Sequence, residues 1–228
     1  MEQKSNWSDF SDIDTWIFDL DNTLYPAHCN LFAQIDQKMG DFVADFLKVD
    51  HAEAKKIQKH YFQTYGTTLN GLMKCHDMHP DDFLAFVHDI DVSEMARAEK
   101  LDAALHELSG RKIIFTNGSD DHATNVSRQL GIDHHFDHIF DIRKCDFIPK
   151  PEISVYHKMI DELDITPSRA VFFEDMAKNL KPAHDLGMTT VWVPNEEHWS
   201  SETSEGPHIH HIAEDLPDWL HRLLASRP

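Results

Sequence analysis

The sequence is short of positive charge: 21 Lys and Arg stand against 40 Asp and Glu, a formal net charge of −19. Such a surface repels nucleic-acid backbones and anionic membranes, so neither is an expected partner. Small anions remain acceptable substrates, because a metal ion and one lysine reverse the sign of the field locally. Cysteine is scarce as well. Cys29, Cys75 and Cys145 are odd in number and widely spaced, which argues against a disulfide framework or a zinc knuckle and for a reducing compartment. Cys29 and Cys75 read as packing residues. No apolar run approaches the roughly 20 residues needed to span a bilayer. The polar, acidic start (MEQKSNWSDFSDIDT) lacks the basic-then-apolar order of a signal peptide. Together these absences predict a soluble cytoplasmic protein. The 228 residues suit one domain, or one core with a large insertion. Internal repeats are absent, and low order is expected only near Asn195–Pro207.

Four short apolar segments end in polar residues: Trp16–Asp21 (WIFDLD), Lys112–Gly118 (KIIFTNG), Ala170–Asp175 (AVFFED) and Thr190–Pro194 (TVWVP). Their length and lack of alternation suit strands buried on both faces. His138–Ile142 (HIFDI) is a weaker candidate, nearer an edge. Helical spacing lies between them. One helix is capped by Ser119 or Asp120, carries Ala123, Val126 and Leu130 inward, and closes at Gly131. A second follows Pro151 through Leu163, and a third carries Leu180, Ala183 and Leu186. This alternation predicts a doubly wound, parallel-sheet (Rossmann-like) α/β core.

From about residue 26 to 92 no buried strand is evident. Leu31, Phe32, Ile35, Met39, Phe42, Val43, Phe46 and Leu47 fall at helical spacing, and Ala54–Tyr65 and Asp81–Val87 look helical too. Ser93 is the expected cap of a helix through Ala98, Leu101, Leu105 and Leu108 that returns to the sheet. The expected division is a core of residues 1–25 and 93–228 with a helical cap, residues 26–92, inserted after the first strand.

Ligands of open α/β sheets sit at the carboxyl ends of the strands. Those ends carry Asp19 and Asp21, then Thr116 and Asn117, then Glu174 and Asp175, while Lys150 lies in the loop Pro149–Lys150–Pro151. Each alone also fits a bland role: a DxD as a turn, PKP as a rigid loop, Glu174–Asp175 as a helix cap. Jointly, clustered carboxylates repel one another, and a divalent cation resolves the conflict. His208, His210 and His211 are a poorer metal candidate, being three of eighteen histidines spread along the chain.

In this order the motifs FDLDNT, IFTNG, PKP and FFEDMAKN resemble those of the haloacid dehalogenase superfamily, most of whose members are phosphatases. The resemblance spans Asp19 to Asn179. It implies that Asp19 attacks phosphorus to form an aspartyl-phosphate. It implies further that Asp21 is the general acid and base, and that Thr116, Lys150 and the backbone at Asn117 and Gly118 hold the phosphoryl group. Mg2+ would be held by Asp19, the Asp21 carbonyl, Asp175 and, through water, Glu174. A 2-haloacid dehalogenase has no need of the second acid, which Asp21 supplies; a phosphomutase needs both acids. A receiver module, the non-enzyme alternative, would carry its acid pair at the first strand with no second pair after the lysine. The continuation DNTLYP (Asp21–Pro26) resembles the pyrimidine 5′-nucleotidase branch. That suggests a small phosphorylated metabolite, a pyrimidine nucleoside 5′-monophosphate, read by cap residues such as Phe32, Gln34, Tyr61, Gln63, Tyr65 and Asn70. Sugar-phosphate or cofactor phosphatase is the alternative.

Overall fold

The computed structural model describes residues 6–195 and 205–228, so the loop expected to be of low order falls largely outside the described residues. Among the described residues six strands form one sheet: β1 (Thr15–Phe18), β2 (Arg111–Phe115), β3 (His138–Phe140), β4 (Ala170–Glu174), β5 (Thr189–Trp192) and β6 (His211–Ile212). Their order is β3-β2-β1-β4-β5-β6, and every pairing is parallel. HIFDI does supply an edge strand. Ile17 stands between Ile113 and Phe172, so the three central strands lie in register.

Side-chain alternation along each strand feeds two cores. Trp16, Phe18, Ile114, Val171 and Phe173 point to one face. There they pack on the helices α5 (Glu99–Glu107), α6 (Asp120–Leu130) and α9 (Leu216–Ala225). Ile17, Ile113, Phe115 and Phe172 point to the other face, against α7 (Ile153–Leu163) and α8 (Ala177–Asp185). With both faces covered, an unbroken apolar strand is the stable solution. The α9 helix and β6 were not anticipated. Asp215 caps α9 by accepting the Asp218 N–H at 2.8 Å, and Leu216, Trp219, Leu220 and Leu223 bury its inner face.

Between β1 and α5 lie α1 (Leu31–Leu47), α2 (His51–Tyr65), α3 (Thr68–His76) and α4 (Pro80–Val87). They share a core of their own, with Val43, Tyr61, Leu72, Phe83 and Leu84 at its centre. Asp50 caps α2, Thr67 caps α3, and Pro80 opens α4 at the position where its missing N–H costs nothing. Gly71 lets α3 lie against α2: a Cβ there would meet Tyr61 Cγ at 2.3 Å. Ser93 does not cap α5. The Met95 N–H donates to the Val92 carbonyl and the Ala98 N–H to Leu130. The chain is thus tied to α6, and the helix begins only at Glu99. Cys29 and Cys75 are exposed rather than packed, and only Cys145 is buried. Among the described residues no helix is long and apolar enough to cross a membrane.

Candidate active site

Asp19 is the first residue beyond β1. Its N–H donates to the Phe173 carbonyl at 2.9 Å, which extends the sheet hydrogen bonding and fixes the backbone there. Lys150 Nζ donates to Asp19 Oδ1 at 2.8 Å and the Thr23 hydroxyl to Asp19 Oδ2 at 3.2 Å. The same ammonium donates to Glu174 Oε2 at 2.6 Å and to the Phe115 carbonyl at 2.8 Å. Glu174 Oε1 accepts the Met176 N–H at 3.1 Å. Asp175, the residue after β4, is held at both ends: Trp192 Nε1 donates to its carbonyl at 2.7 Å and Asn195 Nδ2 to its Oδ2 at 2.8 Å.

Carboxylate oxygens of Asp19, Glu174 and Asp175 come within 4.8 Å of one another, all three buried. Burial, then the Glu174 and Asp21 carboxylates, push Asp19 up from 3.8 to about 7 against the pull of Lys150. Burial, Glu174 and Asp19 raise Asp175 well above the usual carboxylate range. Lys150 is raised: burial works against its charge, and Asp19 and Glu174 outweigh it. An all-oxygen donor set with more negative charge than one ammonium can balance fits a hard divalent cation.

Asp21 is set differently. Its Oδ1 accepts the Tyr25 hydroxyl at 2.6 Å and His122 Nε2 at 2.8 Å. Burial alone would raise its carboxyl, but His122 and Tyr25 outweigh burial and hold it at about 2. The site residues Asp19, Asp21, Thr116, Asn117, Gly118, Lys150, Glu174 and Asp175 all line one cavity of about 600 Å³. The Asn117 side chain has a task not anticipated. Its Oδ1 accepts the Lys150 N–H at 2.8 Å and its Nδ2 donates to the Lys150 carbonyl at 3.4 Å, so it clamps the lysine loop. The Gly118 N–H donates to Thr116 Oγ1 at 2.9 Å.

The cap closes the other side of the cavity with Phe32, Ile35, Met39, Gln58, Phe62, Gln63 and Leu84. Of the cap residues expected to meet a substrate, Phe32 and Gln63 are on this wall. Four others are occupied within the fold. Gln34 bonds the Asp91 backbone through both amide atoms. Tyr61 pairs with His76, Asn70 with the Tyr65 carbonyl, and Tyr65 with the Cys75 thiol. Tyr61 and Tyr65 also pack into the cap's own core. Phe62, with Lys178 Nζ 4.7 Å from its ring centroid, and Gln58, 5% exposed and donating through Nε2 to Asp36 Oδ1 at 2.8 Å, line the wall instead. The Oε1 of Gln58 and the Oδ1 atoms of Asn22 and Asn179 are buried and accept no hydrogen bond among the described residues.

His210 and His211 do sheet-edge work: His210 Nδ1 accepts the Thr190 N–H at 3.1 Å, and His211 packs on Phe10 at 5.0 Å between ring centroids. His122 and Tyr25 escaped the sequence reading. The available signal was Tyr25 four residues after Asp21; nothing local marks His122.

A family model described as haloacid dehalogenase-like hydrolase matches residues 13–187. Phosphate metabolism protein 8 of Saccharomyces cerevisiae is 28% identical over 197 residues, covering 77% of this chain and 60% of the yeast protein. The chain spans less than two thirds of the length of the curated relatives it matches. CbbY from Rhodobacter sphaeroides in complex with phosphate superposes with a TM-score of 0.60 at 19% identity, covering 88% of this chain and 93% of that one. The HAD-hydrolase YfnB from Bacillus subtilis bound to magnesium also gives 0.60, at 14% identity, covering 92% and 98%. Haloacid dehalogenases are among the structural neighbours too. At such identities these structures speak for the fold alone.

Proposed function

The chain belongs to the haloacid dehalogenase-like hydrolases, and on that premise we propose that it hydrolyses small phosphate monoesters through an aspartyl-phosphate on Asp19. The observation that carries the reading is the joint placement of two acids. Asp19 and Asp21 line the same cavity, with Thr116, Gly118 and Lys150 around them. Asp19 attacks phosphorus as the bond to the leaving oxygen breaks; Asp21, ionised in the free site, takes up a proton as the anionic phosphate enters beside it and gives that proton to the leaving oxygen. Asp21 then takes a proton from a water that attacks the phosphoaspartate, which releases phosphate and restores Asp19. The Thr116 hydroxyl donates to a phosphoryl oxygen, and Lys150 balances charge that grows on the group in transfer.

Mg2+ fits the oxygen donors present. Asp19, Asp175 and the Asp21 carbonyl would hold it, with Glu174 acting through water. When bound, it supplies positive charge to phosphoryl oxygens.

The substrate class is a pyrimidine nucleoside 5′-monophosphate. Supporting it are the DNTLYP resemblance and a cap wall that offers aromatic faces (Phe32, Phe62) beside amides (Gln58, Gln63). Comparing kcat/KM for uridine and cytidine monophosphates with purine nucleotides and sugar phosphates tests this. Sugar phosphates winning by roughly tenfold or more would remove the nucleotide and leave the phosphatase. Solved dehalogenases of this fold suggest one further assay, halide release from 2-chloropropionate. Asp21, which carbon–halogen cleavage does not need, argues that none will be seen.

A further inference from the structure

The two hydrogen bonds to Asp21 fall on one oxygen. Tyr25, 1% exposed, and His122, 1% exposed, both reach Oδ1. A carboxylate only accepts, so the His122 imidazole carries its proton on Nε2 and donates. The second oxygen, Oδ2, faces elsewhere: a Cβ built on Gly118 would lie 3.7 Å from it and 3.2 Å from Thr116 Oγ1. Oδ2 of Asp21 and the Thr116 hydroxyl thus border the same small space.

His122 is itself seated by the cap. It lies in the first turn of α6, where its N–H donates to the Ser119 hydroxyl at 3.3 Å. Its ring stacks on that of His88, the residue ending α4, with centroids 4.4 Å apart and planes 10° apart. His88 Nδ1 is in turn 2.8 Å from Ser119 Oγ. Cap, helix N-terminus and Asp21 are therefore joined in one packed chain.

We propose that His122, with Tyr25, is a positioning residue that turns Asp21 so that Oδ2 exchanges the proton with the leaving oxygen and then with water, and that His88 ties this orientation to the cap. The inference rests on the phosphatase reading. A carboxyl free to rotate would present either oxygen at either distance, and displacement of about 1 Å costs on the order of 10²-fold in rate.

The experiment uses the full chain with two substrates, an alkyl phosphate and 4-nitrophenyl phosphate. His122→Phe keeps a ring for His88 and removes the donor. It should lower kcat for the alkyl ester about 10²-fold, change KM by less than about twofold, and cost clearly less with 4-nitrophenyl phosphate, whose leaving group needs little protonation. His122→Gln, which retains a donor, should recover part of the loss, and His88→Ala should show the same pattern more weakly. In an Asp21→Asn background, His122→Phe should add almost nothing, because the residue it positions is already disabled. Should His122→Phe fail to fold, Tyr25→Phe reads the same differential. Equal losses on both esters, or full additivity with Asp21→Asn, would overturn the inference while leaving the phosphatase standing. A wild-type chain that turns over neither ester would overturn both.

Discussion

Lys150 Nζ lies 2.6 Å from Glu174 Oε2, and each of the two side chains is 1% exposed. An ion pair this dry holds only while both partners are present, and here the ammonium also serves Asp19. Lys150→Met should therefore strand two carboxylates, remove activity, and cost about 3–5 kcal/mol of stability. Urea unfolding in chelator measures this. Adding Glu174→Gln to Lys150→Met should recover part of the loss, and an unchanged midpoint in the single variant would refute the pair's role.

Asp19 carries the sign of a pH effect. Its folded value, about 7, lies above the ordinary 3.8, so between those values the folded chain binds the proton that the unfolded chain has lost. Asp19 then subtracts from stability progressively as pH rises from about 4 to about 7. Asp19→Asn removes that dependence and, in chelator, should gain on the wild type as pH rises through this window. A stability difference between the two that is flat with pH would contradict it. Independently, Asp19→Asn should abolish turnover, since the amide cannot attack.

Chelating divalent ions should stop turnover, and magnesium should restore it. Asp175→Ala should raise the magnesium concentration for half activity by at least about tenfold. Replacing His208, His210 and His211 together should leave that concentration where it was. Full activity in excess chelator would rule out the metal.

Substrate discrimination should reside in the cap wall. Phe32→Ala and Phe62→Ala should each raise KM for uridine monophosphate about fivefold, the worth of one aromatic stack, and leave acetyl phosphate hydrolysis nearly unchanged. Tyr65→Phe, away from the cavity, should alter neither. Equal effects on both substrates would place the binding determinants elsewhere.

Thiol labelling separates the cysteines. Cys29 and Cys75 are exposed and should react with a disulfide reagent in the folded protein. Cys145 is 2% exposed, and burial pushes its thiol up to about 12, so it should react only on unfolding. Three fast thiols would show that the α7 side of the sheet opens readily.

The sequence by itself determined the parallel core, the inserted helices and the strand-end acids. Strands such as Ala170–Glu174 are apolar throughout because both faces are covered, and chemistry collects where they end. Asp19, Asp21, Glu174 and Asp175 were legible for that reason and Lys150 by its Pro149–Lys150–Pro151 loop, and order along the chain did the rest. Periodicity also picked out the inner face of α6 and, apart from the exposed Phe46, that of α1. It carried no information about which inner face a side chain would serve. Tyr61 and Tyr65 therefore resembled substrate contacts until packing placed them with His76 and Cys75. Asn117 became the clamp on Lys150, and Phe62 came to face the cavity. His122 is the clearest case. It stands 101 residues from Asp21, and only the packing of α6 beside the end of β1 brings the ring to the carboxylate. A bond between such distant residues depends on the angle and depth at which a helix docks. Those are set by the shapes of all the side chains between helix and sheet, so no local pattern records them.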